Sequence, residues 1–175
     1  MKIPFQVVKS SYRERHEKSG SPHKLALRHA LGKARHAQLK PGGRNRSVGI
    51  VLGADTLISF RGRLIGKPAT LREAIKILSA LSGKSHRVYT AIALIRWDTG
   101  KVFMGYDKTK VTFKKWPEEK IKDYVTRVNP LDKAAGYAIQ KRPFIVAARR
   151  GSLSNVIGLP TQLLRRLLRS ALGPS

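Results

Sequence analysis

Apolar residues recur at helical spacing in four parts of the 175-residue chain. The clearest predicted helix begins at Leu71, where Thr70 and Glu73 have the spacing of a capping box, and ends at Gly83. The same spacing predicts a helix from Thr161 to Leu172, with leucines on its inner face and arginines on its outer face. Proline at the first helical position opens two more predicted helices, one from Pro22 to about Gln38 and one from Pro117 through Val125.

Shorter apolar runs between these helices predict strands. They are Ile3–Val8 as an edge strand, Val48–Ala54 as a strand covered on both faces, a hairpin of His86–Trp97 and Lys101–Lys115 turning at Asp98–Gly100, and Phe144–Ala148. The basic loop Leu39–Ser47 separates a short N-terminal unit from the rest. We therefore predict an α/β fold in which helices flank a mixed central β-sheet, built as a single domain over residues 1–175.

The strong positive charge of the chain is its most unusual property. The chain has 36 Lys and Arg against 10 Asp and Glu, a formal net charge of +26, spread along its length and not confined to a tail. Most of these cations are expected to be a solvated surface, and adventitious nucleic-acid binding follows from their number. Because there is no cysteine, disulfide and thiolate metal sites are excluded. No apolar run approaches the ~20 residues of a membrane span, so we expect a cytoplasmic protein without a membrane partner.

Asp55 is the leading candidate for chemistry. It follows the buried run Val48–Ala54, and the carboxyl ends of strands in open α/β sheets carry ligand sites. Gly53 and Ala54 would let a ligand approach the backbone, and Thr56 adds a hydroxyl group. From this segment alone, an Asp that merely caps a turn at the strand end is equally well supported.

Other residues supply partners for phosphate and for a base. Lys67 stands on the Gly66–Pro68 turn before a helix N-terminus, where an ammonium group can meet phosphate. Lys133 precedes Gln140, whose amide can read a pyrimidine edge, and Glu14 is an acid among bases. Each has an ordinary alternative: an inert surface lysine, a structural loop, or a surface salt bridge.

Taken together, the motifs resemble the Maf family of nucleoside triphosphate pyrophosphatases over nearly the whole chain. The residues that carry the resemblance are Phe5-x-Val-Val8 with Glu14, Ser21-Pro22, Lys33-Ala34, Gly53-Ala-Asp-Thr56, Gly66-Lys-Pro68, Leu81-Ser-Gly83 with His86, Thr109-x-Val111-x-Phe113, Asp132-Lys133, Tyr137-x-Ile139-Gln140 and Ser154–Pro160. The resemblance implies an elongated α/β fold with a central cleft. It also implies hydrolysis of a nucleoside triphosphate to the monophosphate and pyrophosphate with Mg²⁺ or Mn²⁺, and a homodimer.

The resemblance also implies roles for individual residues. Asp55 would be the general base beside the metal, and Glu14 would help to bind the metal or the water. Lys33, Lys67 and Lys133 would bind phosphate. Thr56 and Gln140 would read the base, and this pair resembles the branch that acts on dTTP and UTP.

One departure opens an alternative. Family members normally begin with a strand and a Ser-x-Ser-Pro-Arg-Arg loop that cradles phosphate, and this sequence begins after both. We expect either an upstream start codon, which the upstream DNA would reveal, or a catalytically impaired homologue that binds nucleotides or RNA. A DNA-binding regulator is disfavoured, because neither a helix-turn-helix pattern nor zinc-finger spacing occurs.

Overall fold

The computed structural model describes residues 3–14, 21–38, 49–140 and 144–173. Its strands are β1 (Ile50–Phe60), β2 (Arg63–Ile65), β3 (Ser85–Arg96), β4 (Val102–Phe113) and β5 (Val146–Arg150). Its helices are α1 (Pro22–Gln38), α2 (Leu71–Leu81), α3 (Glu118–Val128), α4 (Leu153–Ile157) and α5 (Thr161–Leu172), with a short 3₁₀ turn at Ala134–Gly136.

The five strands form one sheet in the order β2-β1-β3-β4-β5. This arrangement confirms the α/β class with helices against a sheet. The expected mixed sheet is corrected, because every pairing between the described strands is antiparallel. The apolar run in β1 predicts a strand covered on both faces, and helices on both sides of a sheet can cover antiparallel strands as well as parallel ones.

Helices pack on both faces of this sheet. On one face, the alanines of α1 form a core cluster with residues of β3: Ala26, Ala30, Ala34, Ala91, Ala93 and Ile95. On the other face, α2 and α3 share a larger cluster with Ile58, Val88 and Phe113, and α5 packs on Ile92 and Leu94. The side on which a β1 side chain points therefore decides which helices it meets.

The helices predicted from spacing are confirmed. Thr70 caps α2 by accepting a hydrogen bond from the Glu73 backbone N–H at 3.1 Å, while the Glu73 carboxylate accepts from the Ala69 backbone N–H at 2.7 Å. The hairpin of β3 and β4 turns at Asp98–Gly100 as predicted, and α5 has the predicted bounds. Local periodicity was sufficient for α2 and α5 because each helix buries a single regular face, and the turn residues Asp98–Gly100 were sufficient to locate the hairpin.

Three strand predictions need correction. Residues 3–8 form no strand, and Phe5 is 85% exposed, because the segment pairs with neither edge of the sheet. β1 runs on from Ile50 to Phe60, well beyond Ala54, and β5 begins two residues later than predicted. Leu39–Ser47 and Val48 lie outside the described residues.

None of the helices in the described segments is both long and apolar enough to cross a membrane.

Candidate active site

Asp55 lies in the middle of β1 and not at its end. Its Cα pairs with that of Ala91 on β3, and the strand continues for five residues beyond it to Phe60. Asp55 is only 6% exposed to solvent. The strand-end placement inferred from sequence is therefore corrected, since the polar residues Asp55 and Thr56 interrupt the apolar run without ending the strand.

Gly53 determines what covers Asp55. A Cβ atom at this position would stand 2.1 Å from the Ala30 carbonyl oxygen and 2.7 Å from the Ala34 backbone nitrogen. Glycine therefore lets α1 lie directly on β1. The small residue that the sequence suggested for ligand approach serves instead for the approach of a helix backbone.

This close packing brings two polar side chains of α1 over Asp55. His29 and Lys33 are four residues apart and so share one face of the helix. The Lys33 Nζ donates to Asp55 Oδ1 at 2.6 Å and forms an ion pair with Glu14 Oε1 at 2.7 Å. Three of the residues singled out from sequence, Asp55, Glu14 and Lys33, are thus in direct contact.

Glu14 reaches this cluster because the segment before it crosses α1. The ring of Tyr12 occupies the space above Gly32, where a Cβ atom would stand 2.3 Å from Tyr12 Cε2. The same ring makes edge contacts with His29 and His36. The segment 10–14 is therefore held against α1 by packing, two residues before the acid.

The electrostatics of the cluster favour its charged forms. Burial raises the pKa of Glu14, but the Lys33 hydrogen bond and the charges of Lys33, His29 and Lys67 outweigh this and hold that pKa below its ordinary value. Burial lowers the pKa of Lys33, but hydrogen bonds and charge from Asp55 and Glu14 outweigh it and raise that pKa. Glu14 is therefore an anion and Lys33 a cation near neutral pH.

His29 is a member of the site that the sequence analysis missed. It is 2% exposed, and its Nδ1 lies 3.4 Å from Asp55 Oδ2. Among the described residues, neither ring nitrogen of His29 nor Asp55 Oδ2 has a hydrogen-bond partner. Its spacing from Lys33 could have identified it, since both side chains must face whatever α1 covers.

The atoms without a hydrogen-bond partner belong to residues that could bind a divalent ion. Glu14, His29 and Asp55 each offer one ligand atom, and the three atoms lie within 4.8 Å of one another. Two carboxylates and an imidazole are ordinary ligands of divalent ions. The donor set and the unpaired Asp55 Oδ2 therefore fit a metal.

Thr56, Lys133 and Gln140 form a second group on the opposite face of β1. They line a cavity of about 170 Å³ with Tyr137 and Ile157 among its other walls. Successive side chains of a strand point to opposite faces, so Thr56 cannot share the α1 side with Asp55. The structure thus divides the sequence-predicted residues into a charged cluster and a cavity.

Asn155 fixes one wall of this cavity. Its Nδ2 donates to the Val88 carbonyl oxygen at 3.1 Å and to Thr109 Oγ1 at 2.9 Å. Thr90 Oγ1 donates to the Asn155 carbonyl oxygen at 2.7 Å and shares a 3.0 Å hydrogen bond with Thr56 Oγ1. This buried network ties α4 to the sheet beside Thr56.

Comparison with known proteins agrees with the motifs. The family described as Maf-like protein matches residues 1–171. A protein of Bacillus cereus (strain G9842) named dTTP/UTP pyrophosphatase is 40% identical over 168 residues, which cover 95% of this chain and 84% of the relative. Relatives of the same name from Bacillus anthracis and Bacillus thuringiensis subsp. konkukian (strain 97-27) are 39% identical over the same shares. This chain belongs to the Maf family.

In this Maf protein, the turn that carries Lys67 links the two groups of residues. The Gly66 carbonyl oxygen accepts a hydrogen bond from the Ala135 backbone N–H at 3.0 Å, two residues after Lys133. On the other side, the charge of Lys67 helps to lower the pKa of Glu14. Lys67 is exposed on a turn that adjoins both the charged cluster and the cavity residues.

Proposed function

We propose that this chain hydrolyses dTTP and UTP, or modified pyrimidine triphosphates, to the monophosphate and pyrophosphate with the help of a divalent ion. The observation that carries the proposal is the buried Asp55 carboxylate, oriented by Lys33 beside Glu14 and His29. The names of the Bacillus relatives support the substrate class.

Asp55 is suited to the role of general base. Lys33 takes up one lone pair of Oδ1, so the carboxylate keeps lone pairs both for a divalent ion and for a proton from water. The water oxygen forms a bond to the α-phosphorus, and the bond from that phosphorus to the oxygen that bridges the α- and β-phosphates breaks. The nucleoside monophosphate remains and pyrophosphate leaves. Mg²⁺ or Mn²⁺ held by Glu14 and Asp55, when bound, would neutralise phosphate charge and polarise the phosphoryl group.

The lysines are suited to holding the triphosphate. Lys33 is partly exposed beside Glu14, Lys133 lines the cavity, and Lys67 lies on the turn hydrogen-bonded to Ala135. Lys133 is paired with Asp132, an exposed neighbour that an incoming phosphate can replace. A flexible triphosphate can follow these cations around the Gly66–Pro68 turn.

The cavity is suited to reading the base. Its volume of about 170 Å³ is well below the roughly 300–1,000 Å³ of sites that enclose a whole ligand, so it suits one small ring. Gln140 offers both a donor and an acceptor, as recognition of a pyrimidine edge requires. Thr56 adds a hydroxyl group whose orientation is set by Thr90.

Product analysis tests the proposal directly. The purified chain is incubated with dTTP, UTP, dCTP, ATP and GTP in the presence of Mg²⁺ or Mn²⁺, and nucleotide products and pyrophosphate are quantified. We expect equimolar monophosphate and pyrophosphate, with dTTP and UTP preferred. Stepwise release of orthophosphate, or no hydrolysis of any triphosphate, would contradict the proposal.

A variant pair assigns the activity to the cluster. Asp55→Asn removes the basic oxygen at nearly constant size, and we expect kcat to fall by about 10²–10⁴-fold. Asp123→Asn is the matched control, because that carboxylate pairs with Arg127 on the surface of α3. Equal activity of the two variants would remove Asp55 from the mechanism.

A second candidate, nucleotide or RNA binding without hydrolysis, is favoured by one surface feature. Arg87, Lys110 and Arg150 are exposed and stand directly opposite one another on β3, β4 and β5. Like charges in this arrangement repel and gain from a bound polyanion. Salt-sensitive RNA binding with no pyrophosphate release would support this candidate over the enzyme.

A further inference from the structure

The ring nitrogens of His29 have no hydrogen-bond partner in the described part of the chain, although the ring is buried. Leaving one buried polar group unpaired costs about 1–3 kcal/mol, and a neutral imidazole has both a donor and an acceptor to satisfy. His86, the other buried histidine of the described chain, shares a 2.9 Å hydrogen bond with the Tyr137 hydroxyl. Within the described segments, both ring nitrogens of His29 are therefore unpaired, whereas His86, on the other face of the sheet, has only Nδ1 unpaired.

The unpaired atoms of His29 and Asp55 face each other. Nδ1 and Asp55 Oδ2 are 3.4 Å apart without the alignment of a hydrogen bond. Two ligands bonded to one ion at about 2.1 Å are about 3.0 to 3.4 Å apart at octahedral to tetrahedral angles. The spacing of these atoms is therefore that of neighbouring metal ligands.

The charged partners of the cluster leave room for this role. Lys33 contacts Asp55 Oδ1 and Glu14 Oε1, so it leaves Asp55 Oδ2 and the His29 ring nitrogens unengaged. The side chains of Lys33 and Glu14 are 27% and 34% exposed, so an ion can enter from their side. His29 is not among the residues through which the chain resembles the Maf family.

We propose that His29 is a nitrogen ligand of the divalent ion, together with Asp55 and Glu14, and that it makes the site prefer Mn²⁺ and Co²⁺ over Mg²⁺. Imidazole favours transition metals, whereas carboxylates and water alone suit Mg²⁺ well. This inference rests on the proposed function only for the use of the metal in hydrolysis. Binding of the ion itself is a separate property of the three side chains.

Metal binding without nucleotide tests the inference. The full chain, prepared without a polyhistidine tag, is titrated with Mn²⁺, Co²⁺ and Mg²⁺ by calorimetry, and bound Mn²⁺ is examined by pulsed electron paramagnetic resonance. We expect Mn²⁺ to bind at least about tenfold more tightly than Mg²⁺, with a ¹⁴N coupling from a bound imidazole. Absence of a ¹⁴N coupling in the unmodified chain overturns the inference.

Variants identify the nitrogen. In His29→Gln we expect the ¹⁴N coupling to disappear and Mn²⁺ to bind about 10–100-fold more weakly, while the Mg²⁺ affinity changes much less. The matched control is His86→Gln, the other buried histidine of the described chain, which should keep both the coupling and the affinity. If His29→Gln fails to fold, a chain with His16, His23, His36 and His86 replaced by Gln decides the question, because an imidazole coupling that persists there can come only from His29.

The outcomes separate this inference from the proposed function. Nitrogen-ligated Mn²⁺ in a chain that hydrolyses no triphosphate would uphold His29 as a ligand and overturn the enzyme. Hydrolysis by a chain whose bound Mn²⁺ has no nitrogen ligand, or whose His29→Gln variant binds Mn²⁺ unchanged, would uphold the enzyme and overturn the inference.

Discussion

Lys33 forms ion pairs with both acidic residues of the site, Asp55 and Glu14. Its ammonium group contacts Asp55 Oδ1 at 2.6 Å and Glu14 Oε1 at 2.7 Å, so it both orients the carboxylates and offsets their charge. In the proposed reaction the same cation meets phosphate. The positive charge of Lys33 therefore weakens metal binding, while in the proposed reaction it stabilises the phosphate charge.

This double role predicts opposite effects in one variant. In Lys33→Met we expect kcat for dTTP to fall about 10²-fold, because the variant has no cation there to stabilise the transition state. Mn²⁺ should bind more tightly, because the carboxylates no longer have a competing positive charge. Calorimetry and product assays measure the two effects, and Lys24→Met, an exposed lysine on α1, is the control. Weaker Mn²⁺ binding in Lys33→Met would contradict this account.

His86 gives the fold a dependence on pH. Burial lowers its pKa from 6.5 to about 4, so the folded chain keeps it neutral where the unfolded chain protonates it. Between these values the unfolded state binds more protons, and the free energy of unfolding falls as the pH falls, by up to about 3 kcal/mol. The loss is complete once the pH is below the folded pKa.

The variant His86→Gln isolates this effect. Glutamine can still hydrogen-bond to the Tyr137 hydroxyl but does not titrate. Urea denaturation from pH 4 to pH 7 should show a shallower decline in stability for His86→Gln than for the parent chain. Parallel curves for the two proteins would show that His86 is not the group responsible.

At the scale of elements, the packing of α1 on β1 assembles the charged cluster. The helix supplies His29 and Lys33, the strand supplies Asp55, and the close approach depends on the missing side chain at Gly53. Because the obstruction at that position is helix backbone and not a flexible side chain, a methyl group there cannot be accommodated by a rotamer change.

We therefore expect Gly53→Ala to damage stability and site together. The substitution should lower the free energy of unfolding by about 1–3 kcal/mol or more and reduce activity, as α1 moves away from Asp55. Denaturant titration and the pyrophosphate assay measure the two effects. Gly49→Ala is the control, since a Cβ atom there meets nothing within 4 Å. Equal stability of the two variants would show that the close approach at Gly53 is unimportant.

At the scale of the whole molecule, the net charge of +26 predicts nucleic-acid binding that is independent of catalysis. Arg87, Lys110 and Arg150 align three of the cations in a row across β3, β4 and β5. The affinity for RNA should fall linearly with salt on logarithmic axes.

Two triple variants locate that binding. Replacing Arg87, Lys110 and Arg150 by Gln should reduce the slope of log affinity against log salt by about 3, because each cation that neutralises a phosphate adds about 1 to that slope. Replacing Arg165, Arg166 and Arg169, which are exposed on α5, removes the same charge elsewhere. Equal slopes for the two variants, from fluorescence anisotropy with a labelled RNA, would show binding spread over the surface.

The sequence by itself determined the elements that depend on local spacing. The α2 cap at Thr70, the hairpin at Asp98–Gly100 and the bounds of α5 follow from periodicity and turn residues, which act within a few positions of the chain. The family motifs also identified Asp55, Glu14 and Lys33, and the structure brings these three together.

Only the tertiary structure decided how these residues are arranged. Pairing between distant strands made the sheet antiparallel and put Asp55 in mid-strand, on the face opposite to Thr56. Packing of α1 on Gly53 brought the unpredicted His29 to Asp55. Strand pairing and helix packing depend on surfaces that meet across long sequence separations, and the spacing of residues along the chain does not specify which surfaces meet.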